Sequence, residues 1–215
     1  MLSKLLPQIF LTAKSTTLFG LALIGLLSPL FAQASFQYAQ VPDTLVVEMR
    51  RTGGEIVDPD PIPLLRIYGD GSVRVHFPSY LKRAGDYELQ LSRTEMETLL
   101  ASLIEKQGLI GFDPLAVRRQ KEEIAQQATT AAQLARTQGS VSKLMDGDTT
   151  VIEIHLDSYT ASDGITTTDL TKKISWYGLQ WDAQQYPGVE SLQKLAAAGR
   201  ELLDLCERED LVKVP

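Results

Sequence analysis

The sequence contains very little cysteine and histidine, with one cysteine and two histidines in 215 residues. A single cysteine excludes an internal disulfide, so the core has to hold the fold without a covalent cross-link. Cys206 falls on an apolar helical stripe, which predicts a small core residue, and a disulfide between two chains is the alternative. The usual zinc layouts are excluded too, because the chain has no Cys-x-x-Cys and no His-Glu-x-x-His motif.

Motifs for nucleophilic and nucleotide chemistry are missing as well. The chain has no Gly-x-Ser-x-Gly elbow of the kind that serine hydrolases use. The pair Gly69-x-Gly71 falls within an expected hairpin rather than between a strand and a helix, so it does not indicate a dinucleotide site. Asp146-Gly147-Asp148 and Asp163 offer oxygen ligands for calcium, but EF-hand spacing is absent and turn formation explains them better. We therefore expect no metal and no cofactor.

Long apolar runs are also scarce. The run Leu18–Leu27 has about half of the roughly 20 residues that a membrane-spanning helix needs. Lys4 and Lys14 precede it, and Ala32-Gln33-Ala34 follows with small residues where a signal peptidase reads. The pattern predicts an export signal over residues 1–34, and an uncleaved anchor is the alternative. We expect a periplasmic protein, or an extracellular one, with no stable membrane insertion after the signal is cleaved.

The charge balance is acidic. The chain has 21 basic and 27 acidic residues, and Lys4 and Lys14 are the only charges of the predicted signal. The remainder therefore carries 19 basic against 27 acidic residues, a net charge of −8. Such a domain is repelled by phosphate backbones and by anionic lipid surfaces. We expect no nucleic-acid partner and no peripheral membrane binding.

The first half of the remaining chain shows strand alternation followed by a helical pattern. Leu45–Arg51 alternates between apolar and polar residues and predicts a half-buried strand. Leu64–Phe77 alternates on both sides of an Asp-Gly turn, which predicts a hairpin. Another short strand is expected at Tyr87–Leu91. Ser92–Glu95 then forms a capping box that begins an amphipathic helix, whose apolar stripe comprises Met96, Leu99, Leu100, Leu103 and Ile104.

The second half repeats this layout. Thr149–Leu156 and Leu170–Leu179 are predicted strands joined by a polar turn region, and Val189–Glu207 is a predicted amphipathic helix. Between the halves, residues 114–147 are rich in alanine and glutamine and predict an inserted helix with good propensity and poor burial. Ser35–Val41 is expected to be a polar lead-in.

These elements predict an α+β fold. An antiparallel sheet of about five or six strands would be covered on one face by the two amphipathic helices, with the alanine- and glutamine-rich helix as an insertion. We expect one domain over residues 35–215. Two small domains linked by the insertion are the alternative.

Four side chains are candidates for a surface site: His76, His155, Tyr177 and Trp181. Each histidine falls on the polar face of its strand, and on adjacent strands the two could form a metal or acid–base site with nearby carboxylates. An ordinary surface position is the more common role for a lone strand histidine. Tyr177 and Trp181 could line a sugar- or peptide-binding surface, and packing of the last helix against the sheet edge is the alternative.

The order of several short motifs resembles a known family. These motifs are Tyr68-Gly69-Asp70-Gly71-Ser72-Val73, Gly85 at the start of a strand, Leu91-Ser92 at the start of a helix, Gly111-Phe112-Asp113, and Pro187-x-x-x-x-Leu192. Their order resembles that of uncharacterised bacterial exported proteins, often lipoproteins, grouped only as a domain of unknown function. The resemblance spans Leu45–Leu205, interrupted by Leu115–Gly147. It implies export and a fold, but no activity.

The same resemblance carries over no site. Some members of that family have a Cys-x-Gly-x-Cys-Pro segment between their first two strands. The corresponding stretch here, Thr52–Pro63, contains no cysteine. Any redox or metal role tied to that segment is therefore not implied for this chain.

Three functions stay open on the sequence alone. The first is a non-enzymatic module of the cell envelope that binds a protein or peptide, for example by adding a strand to its sheet edge. The second is an envelope hydrolase that uses carboxylates, of which Asp58 and Asp60 are the most conspicuous pair, or His76 and His155. The third is a carrier of a small ligand or a cation. The missing catalytic motifs favour the first.

Overall fold

The alternating segments of the sequence pair into one antiparallel sheet. The computed structural model describes residues 34–53, 62–127 and 147–215. The predicted export signal, the Asp58–Asp60 pair and most of the predicted insertion lie outside the described residues. The strands are β1 (Ser35–Gln37), β2 (Leu45–Thr52), β3 (Leu65–Tyr68), β4 (Ser72–Phe77), β5 (Gly85–Gln90), β6 (Thr149–Thr160), β7 (Thr166–Tyr177) and β8 (Val212–Lys213). The helices are α1 (Arg93–Ala101), α2 (Pro114–Gln127), α3 (Leu179–Gln185) and α4 (Glu190–Cys206).

The strands lie in the order β7, β6, β2, β3, β4, β5 and β8, with every neighbouring pair antiparallel. β1 also pairs with β6, beyond the stretch that β2 occupies. The α+β prediction is confirmed, although the sheet has eight strands rather than five or six. Because β2 pairs directly with β6, strands from both sides of the insertion share one sheet.

The core lies on one face of the sheet, against α1 and α4. At its centre Met49 of β2 is flanked by Leu65 of β3 and Ile152 of β6, and none of the three exposes more than 1% of its surface. Cys206 is 3% exposed, so its prediction as a core residue is confirmed. The buried residues of these two helices are Met96, Leu99 and Leu100 in α1, and Leu192, Leu195, Ala196, Ala198, Gly199, Leu202 and Cys206 in α4.

The predicted capping box fixes the start of α1. The Ser92 hydroxyl accepts from the Glu95 N–H at 3.2 Å, and the Glu95 carboxylate accepts from the Ser92 N–H at 2.8 Å. Arg208, after α4, donates to the same carboxylate at 3.0 Å. At its other end α1 continues into a π-helical turn, where Ser102 Oγ donates to Glu201 of α4 at 2.8 Å. Both ends of α1 are therefore tied to the last part of the chain.

α2 begins at Pro114 as the sequence predicts, and the Asp113 carboxylate accepts from the Leu115 N–H at 2.8 Å. Val117 is the one buried residue among the 14 of α2, which agrees with the expected poor burial. No helix within residues 34–53, 62–127 and 147–215 is both long enough and apolar enough to cross a membrane.

Several elements differ from the sequence prediction. β1 falls in the predicted lead-in and β8 after the last predicted helix, because each short strand pairs with a partner far away in the sequence. β6 and β7 have 12 residues each, since threonines of the predicted polar turn continue the hairpin. α3 begins at Leu179, where a strand was expected to end, after Gly178 turns the chain at a φ of 63°.

Gly69 marks a close approach between the β3–β4 turn and the segment before β2. A Cβ at Gly69 would overlap the backbone carbonyl of Ala39, and the Gly69 N–H donates to the Thr44 carbonyl at 2.9 Å. Gly69→Ala is expected to lower the free energy of unfolding by about 3 kcal/mol, the upper end of the usual cost of overpacking. Urea unfolding measures the loss. Gly111→Ala is the control, because its Cβ would meet nothing within 4 Å, and equal losses would contradict the steric argument.

Glu95 gives the fold a dependence on acidic pH. The hydrogen bonds from the Ser92 hydroxyl and N–H, and then from Arg208, lower the pKa of Glu95 from 4.5 to about 2. A carboxyl with a lowered pKa stabilises the fold above its ordinary pKa, and the contribution is lost as the pH falls through about 2. The wild type is therefore expected to be more stable than Glu95→Gln at pH 7, with a difference that shrinks from about pH 4.5 to pH 2. Urea midpoints across that range measure it.

The matched control for this pH dependence is Glu122→Gln, which removes an exposed carboxylate on α2. Its difference from the wild type should not follow the same pH window. A Glu95→Gln difference that stays constant from neutral pH to pH 2 would contradict the role given to the capping box.

Candidate functional site

The sheet face opposite the core carries one row of charged side chains across six strands. In register from β7 to β5 the row comprises Lys173, Glu153, Glu48, Arg66, Arg74 and Glu88. Three contacts between neighbours hold it together, at 3.2 Å for Lys173–Glu153, 3.3 Å for Arg66–Glu48 and 3.3 Å for Arg74–Glu88. Each charge of this row thus has an opposite charge beside it, which leaves little net field for a partner.

Glu48 is the most enclosed member of the charged row. Its side chain is 9% exposed, and it accepts from Arg50 Nε at 2.6 Å and from Arg66 Nε at 3.3 Å. Glu153 lies directly opposite Glu48 on β6, so the two arginines also offset a repulsion between like charges. The arginine side chains cover Glu48 and neutralise it at the same time.

His76 and His155 both lie on this charged face, but the structure keeps them apart. His76 Nδ1 is 2.6 Å from Asp86 Oδ1 on the neighbouring strand. His155 Nε2 is 3.3 Å from Glu153, and its Nδ1 is 3.2 Å from Thr171 Oγ1. β2 and β3 lie between the two strands, which separates the histidines by roughly 14 Å or more at about 4.8 Å a strand. The geometry does not support a site that combines them.

The residues considered for calcium have other contacts. Arg51 Nε lies 2.5 Å from Asp148 Oδ2, and Asp163 Oδ1 accepts from the Ile165 N–H at 3.0 Å within the β6–β7 turn. Asp146 lies outside the described residues. Within the part of the chain that the structure describes, no group of three or more histidine, cysteine or acidic side chains is placed to hold a metal.

The aromatic candidates lie on different elements. Tyr177 ends β7 on the charged face and is 45% exposed, and its hydroxyl accepts from the Gly147 N–H at 3.1 Å. Trp181 is half-buried on α3. Their neighbour Trp176 points into the core, where it is 5% exposed and meets Phe112 edge to face at 5.9 Å.

A groove of about 650 Å³ lies where β3 begins and β4 ends. Its volume is within the usual range for binding sites of small molecules. Its apolar lining comprises Ile62, Leu64, Phe77, Tyr80, Leu81 and Leu203. Ile62, Tyr80 and Leu81 expose 46%, 66% and 42% of their surface. Apolar side chains that are exposed together, rather than singly, are typical of an interaction site.

Two consecutive turns display Tyr80 and Leu81 at the rim of this groove. The Leu81 N–H donates to the Pro78 carbonyl at 3.0 Å, and the Ala84 N–H donates to the Leu81 carbonyl at 3.1 Å. These bonds satisfy the backbone of the β4–β5 loop locally. The loop therefore holds its shape while the two apolar side chains project from it.

The base of the β4–β5 loop is held by cations stacked on aromatic rings. The Arg83 guanidinium lies 5.1 Å from the Phe77 ring centroid and 5.2 Å from that of Tyr87, and the two rings meet edge to face at 5.5 Å. Lys213 of β8 donates to the Ala84 carbonyl at 3.0 Å. The last strand of the sheet thus anchors the loop that borders the groove.

The charges around the groove differ from those of the whole domain. Its basic residues are Arg51, Lys82 and Arg83, and its acidic residues are Asp148 and Glu207. Arg51 and Asp148 neutralise each other, so Lys82 and Arg83 outnumber the remaining acid. In a chain with a net charge of −6, this rim attracts a negatively charged group.

Cys206 also lines the groove but does not provide a nucleophile. Burial raises the pKa of its thiol to about 12, so the side chain stays protonated at neutral pH. His76, one of the four surface candidates predicted from the sequence, lines the groove, but the groove itself was not predicted. Its only sequence signal is Tyr80-Leu81 followed by Lys82-Arg83 between two predicted strands, where apolar residues have no strand or helix to bury them.

A second cluster of side chains lies on the core side of the sheet, where Trp176, Asp182 and Tyr186 surround Lys121; we refer to it as the Lys121 cage. The ammonium of Lys121 on α2 is 2.5 Å from Asp182 Oδ2 and lies 4.9 Å and 5.5 Å from the ring centroids of Tyr186 and Trp176. Asp182 is 5% exposed and also accepts from Trp176 Nε1 at 2.8 Å. Burial, and then the charge of Asp182, raises the pKa of Tyr186. No motif predicts the Lys121 cage, because α2 is far from its partners in the sequence.

The charged row allows a test of whether a buried carboxylate contributes more to the free energy of unfolding than an exposed one. Glu48→Ala leaves Arg50 and Arg66 without their shared carboxylate, but both arginines are partly exposed and can bind water instead. The loss in the free energy of unfolding is therefore expected to be about 1.5 kcal/mol, typical of a lost hydrogen bond to a charged group. Glu88→Ala removes a carboxylate that is 53% exposed in the same row and should cost less than about 1 kcal/mol. Urea unfolding of both variants checks the order. A larger loss for Glu88→Ala would contradict it.

Comparison of the chain with protein families, with curated proteins and with solved structures finds no match in any of the three. The resemblance to the family of exported proteins therefore stays a prediction.

Proposed function

We propose that this protein is a non-enzymatic binding module, exported from the cytosol, that takes a peptide segment of another envelope protein into the groove beside the β4–β5 loop. The observation that carries the proposal is the cluster of Ile62, Tyr80 and Leu81 around one groove. All three keep more than two fifths of their surface in water. A partner that covers these side chains removes their apolar surface from water, which favours binding.

The size of this gain indicates the kind of binding. Complete burial of a large apolar side chain is worth about 1.5–3 kcal/mol, and association costs about 4 kcal/mol or more. Ile62, Tyr80 and Leu81 are already partly buried, so they offset that cost without giving tight binding on their own. Ionic contacts with Lys82 and Arg83 would supply the rest. We therefore expect a peptide that combines apolar anchors with an acidic residue and binds at about micromolar concentration.

The groove is favoured over strand addition at the edge of the sheet. β7 pairs with β6, and within the described residues nothing pairs with its other side. However, Asp169 has a φ of 51°, and its pairing with Asp157 is missing from an otherwise continuous register. Lys172 and Lys173 follow it. Local distortion and charge are the features by which proteins prevent pairing at a sheet edge.

The proposal predicts which peptides bind and where. A phage-displayed peptide library panned against the full chain should enrich sequences with apolar and acidic residues. Fluorescence polarisation of a selected peptide then measures its Kd. Tyr80→Ser and Leu81→Ser should each weaken binding about tenfold, which corresponds to about 1.4 kcal/mol. Lys82→Glu should weaken it further for the more acidic peptides, because it reverses the attraction at the rim.

The matched control is Ile165→Ser, at the tip of the β6–β7 hairpin, where the isoleucine is as exposed as Tyr80, at 66%. This substitution should leave the Kd unchanged. The proposal is contradicted if the enriched peptides bind equally well to a Tyr80→Ser/Leu81→Ser double variant. It is also contradicted if the library yields no enriched peptide.

A further inference from the structure

α2 is attached to the rest of the molecule by few side chains. Val117 is its one buried residue, and among the residues of α2 after Val117 only Lys121 is not exposed. Lys121 is therefore the least exposed side chain in the last two turns of α2. Its ammonium group enters the Lys121 cage of Trp176, Asp182 and Tyr186.

The Lys121 cage is built without α2. Trp176, Asp182 and Tyr186 lie within eleven consecutive residues at the end of β7 and in α3, and Trp176 Nε1 fixes the Asp182 carboxylate at 2.8 Å. Gln193 of α4 donates to the carbonyls of Ala183, at 2.6 Å, and of Tyr186, at 3.2 Å. These bonds hold the far end of α3 in place. The aromatic faces and the carboxylate thus keep their arrangement through contacts that do not involve Lys121.

The chemistry of the cage matches one class of ligand. Aromatic faces attract a cation through their negative quadrupole, and a carboxylate strengthens the contact through a charge-assisted hydrogen bond. Lys121 satisfies both conditions from within the same chain. A group tethered in this way competes with any outside ligand at its effective concentration, which lowers the apparent affinity for that ligand.

We propose that the Lys121 cage is a binding site for a primary alkylammonium group, such as a lysine side chain, and that Lys121 of α2 occupies it as a tethered competitor. A ligand that displaces Lys121 removes the ion pair that joins α2 to α3. The site is separate from the groove, since the two share no residue. Failure of one proposal therefore leaves the other untouched.

Fluorescence of Trp176 reports binding directly. The chain has two tryptophans, so Trp181→Phe leaves Trp176 as the only one and serves as the background for each variant. The probe is n-butylammonium chloride, titrated at constant ionic strength with sodium chloride. Lys121→Ala should give a saturable change in Trp176 fluorescence, with a Kd about tenfold or more below that of the background chain. Asp182→Asn added to Lys121→Ala should abolish the change.

A second probe, Nα-acetyl-lysine methylamide, distinguishes a lysine side chain from a free amine. Both probes carry the same alkylammonium group, so both should bind to Lys121→Ala. If only n-butylammonium binds, the site for a primary alkylammonium group is supported, with a free amine rather than a lysine side chain as its ligand. A Lys121→Ala variant that keeps the wild-type circular dichroism spectrum but shows no saturable change with either probe overturns the proposal, because Lys121 and Asp182 then form only a fixed structural ion pair.

Hydrogen exchange covers the case in which Lys121→Ala fails to fold. In the chain that retains Lys121, n-butylammonium should accelerate amide exchange in α2 after Val117 relative to sodium chloride at the same ionic strength. Exchange in α4 serves as the internal control and should not change. Equal exchange of α2 in the two salts would contradict displacement of Lys121.

Discussion

β2 and β6 pair over six residue pairs, from Val47 opposite Ile154 to Thr52 opposite Thr149. This ladder joins chain segments that are about a hundred residues apart and makes one sheet of them. It also sets the register on both faces at once, since a shift by one residue would move every side chain to the other side. With the observed register Met49 meets Ile152 in the core, while Glu48 meets Glu153 on the opposite face. The register that buries the apolar side chains therefore also determines which charged side chains lie opposite each other.

On the charged face, like charges on neighbouring strands have to be neutralised by other side chains of the same face. Glu48 and Glu153 are opposed, and Arg66 faces Arg74 on the next two strands, so each like pair needs a neighbour of opposite sign. The ion pairs along the row provide it, and they leave the face with little field for a partner. The two proposed binding sites lie elsewhere, in the loop at the end of the sheet and between α2 and α3. In both places cations lie against aromatic rings, with Arg83 beside the groove and Lys121 in its cage.

Most of the fold follows from local patterns. The hairpin around Asp70-Gly71, the capping box of α1 and the stripe of α4 each depend on residues within a few positions of one another, so periodicity and turn chemistry indicate them. β1 and β8 are short and pair with distant strands, and a three- or two-residue segment has no period of its own. The threonines that extend β6 and β7 lie in a polar, exposed part of the hairpin, where no alternation between core and solvent marks a strand.

By itself the sequence determined the α+β class, the placement of Cys206 in the core and the polar setting of His76 and His155, because each of these depends on side-chain alternation within one segment. Only the tertiary structure decided that β2 and β3 separate the two histidines. It alone gathered Ile62, Tyr80 and Leu81 around a groove and seated Lys121 against residues some sixty positions away. The physical reason is that such contacts depend on the order of strands and on the path of loops. Both are set by the packing of the whole core, and no local pattern of residues encodes them.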